Sequence, residues 1–88
     1  MKEKAMKIVV DYIYKELIWP NTERDPLPAF EVYLVWMCKT LQNWKFLISS
    51  TIDDGMYYEV TYNGDAQCWY LDAYKKIDNR VIGQDYEN

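Results

Sequence analysis

Histidine is absent from the 88 residues, which removes at once the commonest general base and the commonest metal ligand. What remains for chemistry is two cysteines, fourteen carboxylates and nine tyrosines. Cys38 and Cys68 lie far apart in sequence and lack the close spacing of a metal-binding pair, so they read as free thiols of a reducing compartment. Asp53-Asp54-Gly55 places two adjacent carboxylates before a glycine. A calcium loop needs a longer run of alternating oxygen ligands ending in Glu. Aspartate at a tight turn bonds its own backbone instead, and Gly55 and Gly64 read as turn glycines rather than as a phosphate-cradling loop. No acid–base constellation emerges, and the expectation is a protein without catalytic residues, cofactor or metal.

The elements that would position these side chains follow from periodicity. Ala5, Ile8, Val9, Tyr12, Ile13 and Leu17 recur at helical spacing over residues 2–18, with Glu16 the one polar residue on that stripe, and predict an amphipathic helix. Trp19-Pro20 should stop it, because a proline disfavours helical geometry at the residue before it. Pro20, Pro26 and Pro28 mark an irregular crossover over 19–29.

From Phe30 the period changes to two, and strands over 30–76 should form a four-stranded antiparallel meander. Asn63-Gly64 predicts a two-residue turn that pairs Tyr62 with Asp65, Tyr58 with Trp69 and Met56 with Leu71. Asp53-Asp54-Gly55 predicts a three-residue loop pairing Ile48 with Val60 and Phe46 with Tyr62, and Leu41-Gln42-Asn43 a similar loop bringing Trp36 to Ile48 and Cys38 to Phe46. One sheet face then carries Phe30, Val32, Leu34, Trp36, Cys38, Phe46, Ile48, Met56, Tyr58, Val60, Trp69 and Leu71, and the helix should lie on it. The fold class is α+β, one domain over 1–88, and the polar tail 77–88 should fray.

The second face is the informative one. This register collects Tyr33, Thr51, Tyr57 and Tyr70 in one row and Met37, Leu47 and Thr61 in another, with Val35, Ser49, Glu59 and Cys68 between them. A face so apolar is unlike a solvated one, where charges alternate; contiguous apolar patches and tyrosine-rich centres mark interfaces. Tyr33, Val35, Met37, Leu47, Tyr57, Glu59 and Tyr70 are therefore the candidate binding surface. The C-terminal tail or a second copy in a homo-oligomer are alternative covers for the same residues.

The net charge is −4, and the excess lies in the C-terminal half: residues 44–88 hold four basic and eight acidic side chains. Nucleic-acid affinity comes from Lys and Arg displacing counterions, so direct nucleic-acid binding is not expected. Asp53, Asp54, Asp65, Asp72 and Asp78 form a candidate acidic rim that would imitate nucleic acid in a basic cleft. Lys2, Glu3, Lys4, Lys7, Asp11, Lys15 and Glu16 interrupt the opening stretch, which excludes a signal core or membrane span there and predicts a cytosolic protein.

The stretch from Phe30 to Lys76 carries a further signal. Val35-Trp36-Met37-Cys38-Lys39-Thr40-Leu41-Gln42-Asn43, Asp54-Gly55-Met56-Tyr57-Tyr58-Glu59-Val60-Thr61-Tyr62-Asn63-Gly64-Asp65 and Tyr70-Leu71-Asp72-Ala73-Tyr74-Lys75-Lys76 resemble a small uncharacterised protein family of phages and prophages of Gram-positive bacteria. The resemblance implies a phage-borne accessory protein and brings no catalytic residues. Joined to the open face, it predicts a non-enzymatic protein that binds a host protein and disables host machinery or a defence system. The alternative is a small-ligand binder that holds a nucleotide-like molecule at an oligomer interface.

Overall fold

The computed structural model describes residues 1–18 and 29–85, with the side chains of 17 and 18 left aside. Residues 19–28 of the crossover expected over 19–29, and the last residues of the tail, lie outside that range. Helix α1 spans Lys2–Ile13 and continues as a π-helical turn over Tyr14–Ile18. Ala5, Val9 and Ile13, each one turn further along, are fully buried, as the i, i+4 spacing requires. On the opposite side Lys7 pairs with Asp11 at 3.0 Å.

Four strands follow: β1 (Val32–Thr40), β2 (Asn43–Ser50), β3 (Met56–Asn63) and β4 (Cys68–Lys75). They form one antiparallel sheet in the order β1-β2-β3-β4, the meander that the period-two pattern predicts. Helix α1 packs on β1, β2 and β3. Phe46, Ile48, Tyr58 and Val60 meet Ala5, Val9 and Ile13 in a core with no exposed surface. Each of the Val, Ile and Phe side chains among them contributes about 1.5–3 kcal/mol by leaving water. Beyond the helix the same face ends in an aromatic cluster. Trp44 stacks on Phe46 at 5.8 Å, Phe46 lies 6.4 Å from Trp69, and Trp69 meets Tyr62 at 4.9 Å.

All three turns differ from the expected ones. The third hairpin turns through four residues, pairing Asn63 with Cys68 and Tyr62 with Trp69. The Asn63 carboxamide explains this: its Oδ1 accepts from the amides of Asp65 and Ala66, both at 3.1 Å, so Asn63 stays in the strand and folds the loop over its own side chain. Gly64 is needed for space rather than for a left-handed backbone. A Cβ there would run into the carbonyl oxygen and Cβ of Gln42 in the first turn.

The second hairpin pairs Ile48 with Tyr58 and Phe46 with Val60, two residues away from the expected register. Its longer loop is held by local bonds: Asp54 Oδ1 accepts from the Met56 amide at 3.0 Å, the Ile52 amide donates to Ser50 Oγ at 3.2 Å, and Ser49 Oγ donates to the Met56 carbonyl at 2.9 Å. Gly55 does take the left-handed conformation, φ 71°, as expected. Because both slips are even, every side chain in β2, β3 and β4 keeps the face that the sequence assigned to it.

The first hairpin breaks that rule. Its turn is shorter by one residue, Leu41-Gln42, with Leu41 at φ 56° and Thr40 opposite Asn43. Asn43 is drawn into the strand because its Oδ1 accepts from the Gly64 amide at 3.2 Å, tying the first turn to the third. A β-bulge at Val35, between Leu34 and Trp36, then sets Leu34 opposite Ile48 and returns Leu34 to the helix side. Between bulge and turn the faces are inverted. Met37 now lies opposite Phe46 on the helix side, with Lys39 Nζ 5.4 Å from the Trp44 ring. Trp36 and Cys38 point the other way.

Candidate interaction surface

The face turned away from α1 is built from the alternate residues of all four strands. Pairing across the sheet gives three rows: Tyr33–Ser49–Tyr57–Tyr74, then Trp36–Leu47–Glu59–Asp72, then Cys38–Lys45–Thr61–Tyr70. Tyr33, Trp36, Tyr70 and Tyr74 are 48%, 44%, 52% and 52% exposed. Large side chains left half in water across one face make it a candidate contact surface. The described part of the tail does not close it: Ile77 and Val81 are themselves 93% and 99% exposed.

Most of the residues expected on this surface are there. Tyr33, Leu47, Tyr57, Glu59 and Tyr70 share the face, and Val35 sits at its edge in the bulge, exposed. Met37 does not belong to it, because the bulge sends its side chain to the helix side. Tyr57 lies opposite Tyr74 rather than Tyr70. Trp36, Tyr74 and Cys38 complete the surface and were not expected on it or were not singled out. Tyr74 could have been found by continuing the alternation of β4 two residues past Asp72; Trp36 could not, since nothing local in the sequence announces the bulge.

The five aspartates do not make one rim. Asp53 is exposed in the β2–β3 loop, while the Asp54 carboxylate is engaged with the Met56 amide. Asp65 lies at the other end of the sheet in the β3–β4 turn, and Asp78 pairs with Arg80 at 2.8 Å in the tail. Asp72 lies in the middle of the outer face, directly opposite Glu59 and near enough to Lys45 for its charge to add a small upward push to that lysine's pKa. The acidic face that would imitate nucleic acid is therefore dispersed.

Charge within the surface is nearly balanced. Lys45 Nζ reaches Glu59 Oε1 at 2.9 Å, and its pKa is raised by that hydrogen bond first and by the Glu59 charge second. The Tyr70 phenol is also shifted upward, chiefly by a hydrogen bond to the Cys68 thiol. Cys38 and Cys68 are both free thiols. They share the outer face, contrary to the expected placement of Cys38 beneath the helix, but stand on opposite edge strands and cannot bridge within one chain. Among the described residues no three His, Cys, Asp or Glu side chains cluster as a metal site.

Two shallow grooves cross this face. One, of about 500 Å³, runs at the end near the first and third turns and is lined by Trp36, Cys38, Lys45, Thr61, Asn63 and Tyr70 among others. The other, of about 420 Å³, lies near the second turn beside Tyr33, Ser49, Asp53, Tyr57 and Lys76. Both offer aromatic and hydroxyl side chains, and in the first the Cys38 thiol stands opposite Lys45, whose ammonium is held by Glu59.

No helix among the described residues is long and apolar enough to cross a membrane. No curated protein and no solved structure matches the chain. The model of a family of unknown function, DUF6275, matches residues 2–84. That match runs through the helix, all four strands and most of the C-terminal segment, and the chain belongs to this family of unknown function.

Proposed function

We propose that this chain is a small accessory protein of phage type that acts without catalysis, by binding a host protein through the outer sheet face and so disabling host machinery, a defence system included. The observation that carries the reading is the set of half-exposed aromatics, Tyr33, Trp36, Tyr70 and Tyr74, contributed by both edge strands and spread over all the rows of the face. A surface of that breadth suits a macromolecule, and Tyr and Trp anchors carry most of the energy at protein interfaces. The absence of histidine from the sequence supports a non-catalytic role. The phage assignment rests on the resemblance of residues 30–76, and the host cytosol is the compartment that it implies.

The test is recovery of a host protein from a Gram-positive lysate on immobilised wild-type protein and on a Trp36→Ser/Tyr70→Ser variant that retains its helix and sheet by circular dichroism. A partner retained by the first and lost from the second is the expected result. Equal recovery on both would remove the outer face from consideration.

The groove of about 500 Å³ supports a second reading, since that size falls in the range of small-molecule sites, about 300–1,000 Å³. Lys45 is the one cation among its lining residues and is already paired with Glu59, so the occupant would be a neutral, flat molecule rather than a phosphate ester. Release of a heterocyclic compound on heating the purified protein is its signature.

A further inference from the structure

We infer that two copies of this chain join edge to edge through β4, related by a two-fold axis at Tyr74, to form one continuous antiparallel sheet. The inference is independent of the host partner, because it uses the edge of the sheet and leaves the outer face open.

The two edges of the sheet are not equivalent. The outer edge of β1 is broken by the bulge at Val35, a device that blunts strand addition. β4 pairs with β3 without interruption from Cys68 to Lys75, so its free edge is a regular one. The pairing continues one residue further, as the Lys76 amide donates to the Gly55 carbonyl at 2.8 Å. Peptide groups alternate sides along a strand. With Lys76 facing β3, the amides and carbonyls of Leu71, Ala73, Lys75 and Ile77 must face the open edge.

That alternation limits how a second β4 can add. In an antiparallel two-fold pair the outward-facing residues must meet one another. Centring the axis on Tyr74 sets Ala73 against Lys75, Leu71 against Ile77 and Asp72 against Lys76, each occurring twice. Moving the axis by one residue in either direction opposes Asp72 to Asp78 or leaves Asp72 beside Tyr74, so charge selects the first register. In the single chain Asp72 faces Glu59, a like charge, and among the described residues neither Asp72 nor Lys76 has an ion-pair partner. The second copy supplies each with the missing one. Ile77, 93% exposed in the single chain, comes to lie beside Leu71 of the second copy on the helix side.

In the pair, the tyrosine row continues from Tyr33, Tyr57 and Tyr74 of one copy into Tyr74, Tyr57 and Tyr33 of the other, doubling the length of the outer surface.

The experiment uses the whole chain. Sedimentation equilibrium at micromolar concentration should give twice the 10.6 kDa chain mass; a monomer throughout that range would overturn the inference. Asp72→Lys should raise the dissociation constant about tenfold, since two attractive cross-strand pairs become repulsive, and adding Lys76→Asp should restore it. A dimer indifferent to Asp72→Lys, or a double variant that stays dissociated while its circular dichroism is native, would refute the register. In a Cys38→Ser/Cys68→Ser background, Tyr74→Cys should form an intermolecular disulfide under mild oxidation, because the two residues on the axis form a closely spaced pair. Tyr70→Cys should not. The opposite outcome would place the contact elsewhere.

Discussion

The two faces of this sheet are built by the same alternation along the same strands, yet they are finished differently. On the helix side Phe46, Ile48, Tyr58 and Val60 have no exposed surface, whereas across the backbone Tyr33, Trp36, Tyr70 and Tyr74 keep about half of theirs. Aromatic content does not separate them, since both are rich in it. What separates them is the one helix, whose buried stripe of Ala5, Val9 and Ile13 can cover only one side. Among the described residues this helix is the single covering layer. The bare face is thus the direct consequence of a two-layer architecture, and it is the surface that the proposed function uses.

The comparison breaks first on truncation. Phe46→Ala should cost about 3–5 kcal/mol, as expected for an aromatic side chain removed from a close-packed core. Urea unfolding of that variant beside Tyr70→Ser measures the contrast, and equal losses would mean that both faces are core.

Alkaline unfolding sharpens it next. The Tyr58 hydroxyl is buried and has no hydrogen-bond partner among the described residues, and its pKa is pushed up to about 12 from 10.0 by desolvation first, then by Asp54 and Tyr12. The folded state therefore holds this proton more tightly than the unfolded chain does. Its contribution is fully present below pH 10.0 and is lost as pH rises toward about 12, an effect of about 2–3 kcal/mol. Tyr58→Phe should remove that component of the alkaline slope. At neutral pH it should leave stability unchanged or raise it by about 1 kcal/mol, because an unsatisfied buried hydroxyl is costly. A Phe variant with the wild-type slope would show that the phenol titrates in contact with water.

Gly64→Ala comes third, at about 1–3 kcal/mol, since the new methyl group must displace the Gln42 backbone in the neighbouring turn. Gly55→Ala should cost about 1–2 kcal/mol through its left-handed backbone instead. Shortening Gln42 to Gly separates the two mechanisms: it relieves only part of the Gly64 clash, leaving the carbonyl contact, and should do nothing for Gly55. Last and smallest, Tyr57→Ser with Tyr74→Ser should lower the stability of the single chain by less than about 1 kcal/mol, the range of a solvent-facing cross-strand pair. A loss as large as that of Phe46→Ala would show the tyrosine row to be covered.

Much of this architecture was legible because it depends on local period. The stripe of Ala5, Val9 and Ile13 gave the helix and its inward side. The alternation of Phe46 and Ile48, of Tyr58 and Val60, and of Trp69 and Leu71 assigned their faces correctly although every pairing partner was misjudged. Period two fixes a face and says nothing about which residue lies opposite. The turns failed for a specific reason: Asn43, Asn63 and Asp54 accept hydrogen bonds from backbone amides, and those bonds reset loop lengths that the bare turn motifs had implied.

The helix, the number and order of strands, the acidic balance and the inward faces of β2, β3 and β4 were determined by the sequence itself, because each follows from residue type and spacing within a few neighbours. The tertiary structure alone decided the rest: the bulge at Val35, the exchange of Met37 for Trp36 and Cys38 on the outer face, and the role of Gly64. All three arise where the first and third turns come together, at the Asn43–Gly64 hydrogen bond and the Gln42–Gly64 contact. Residues more than twenty positions apart set those distances, and no local pattern in the chain encodes them.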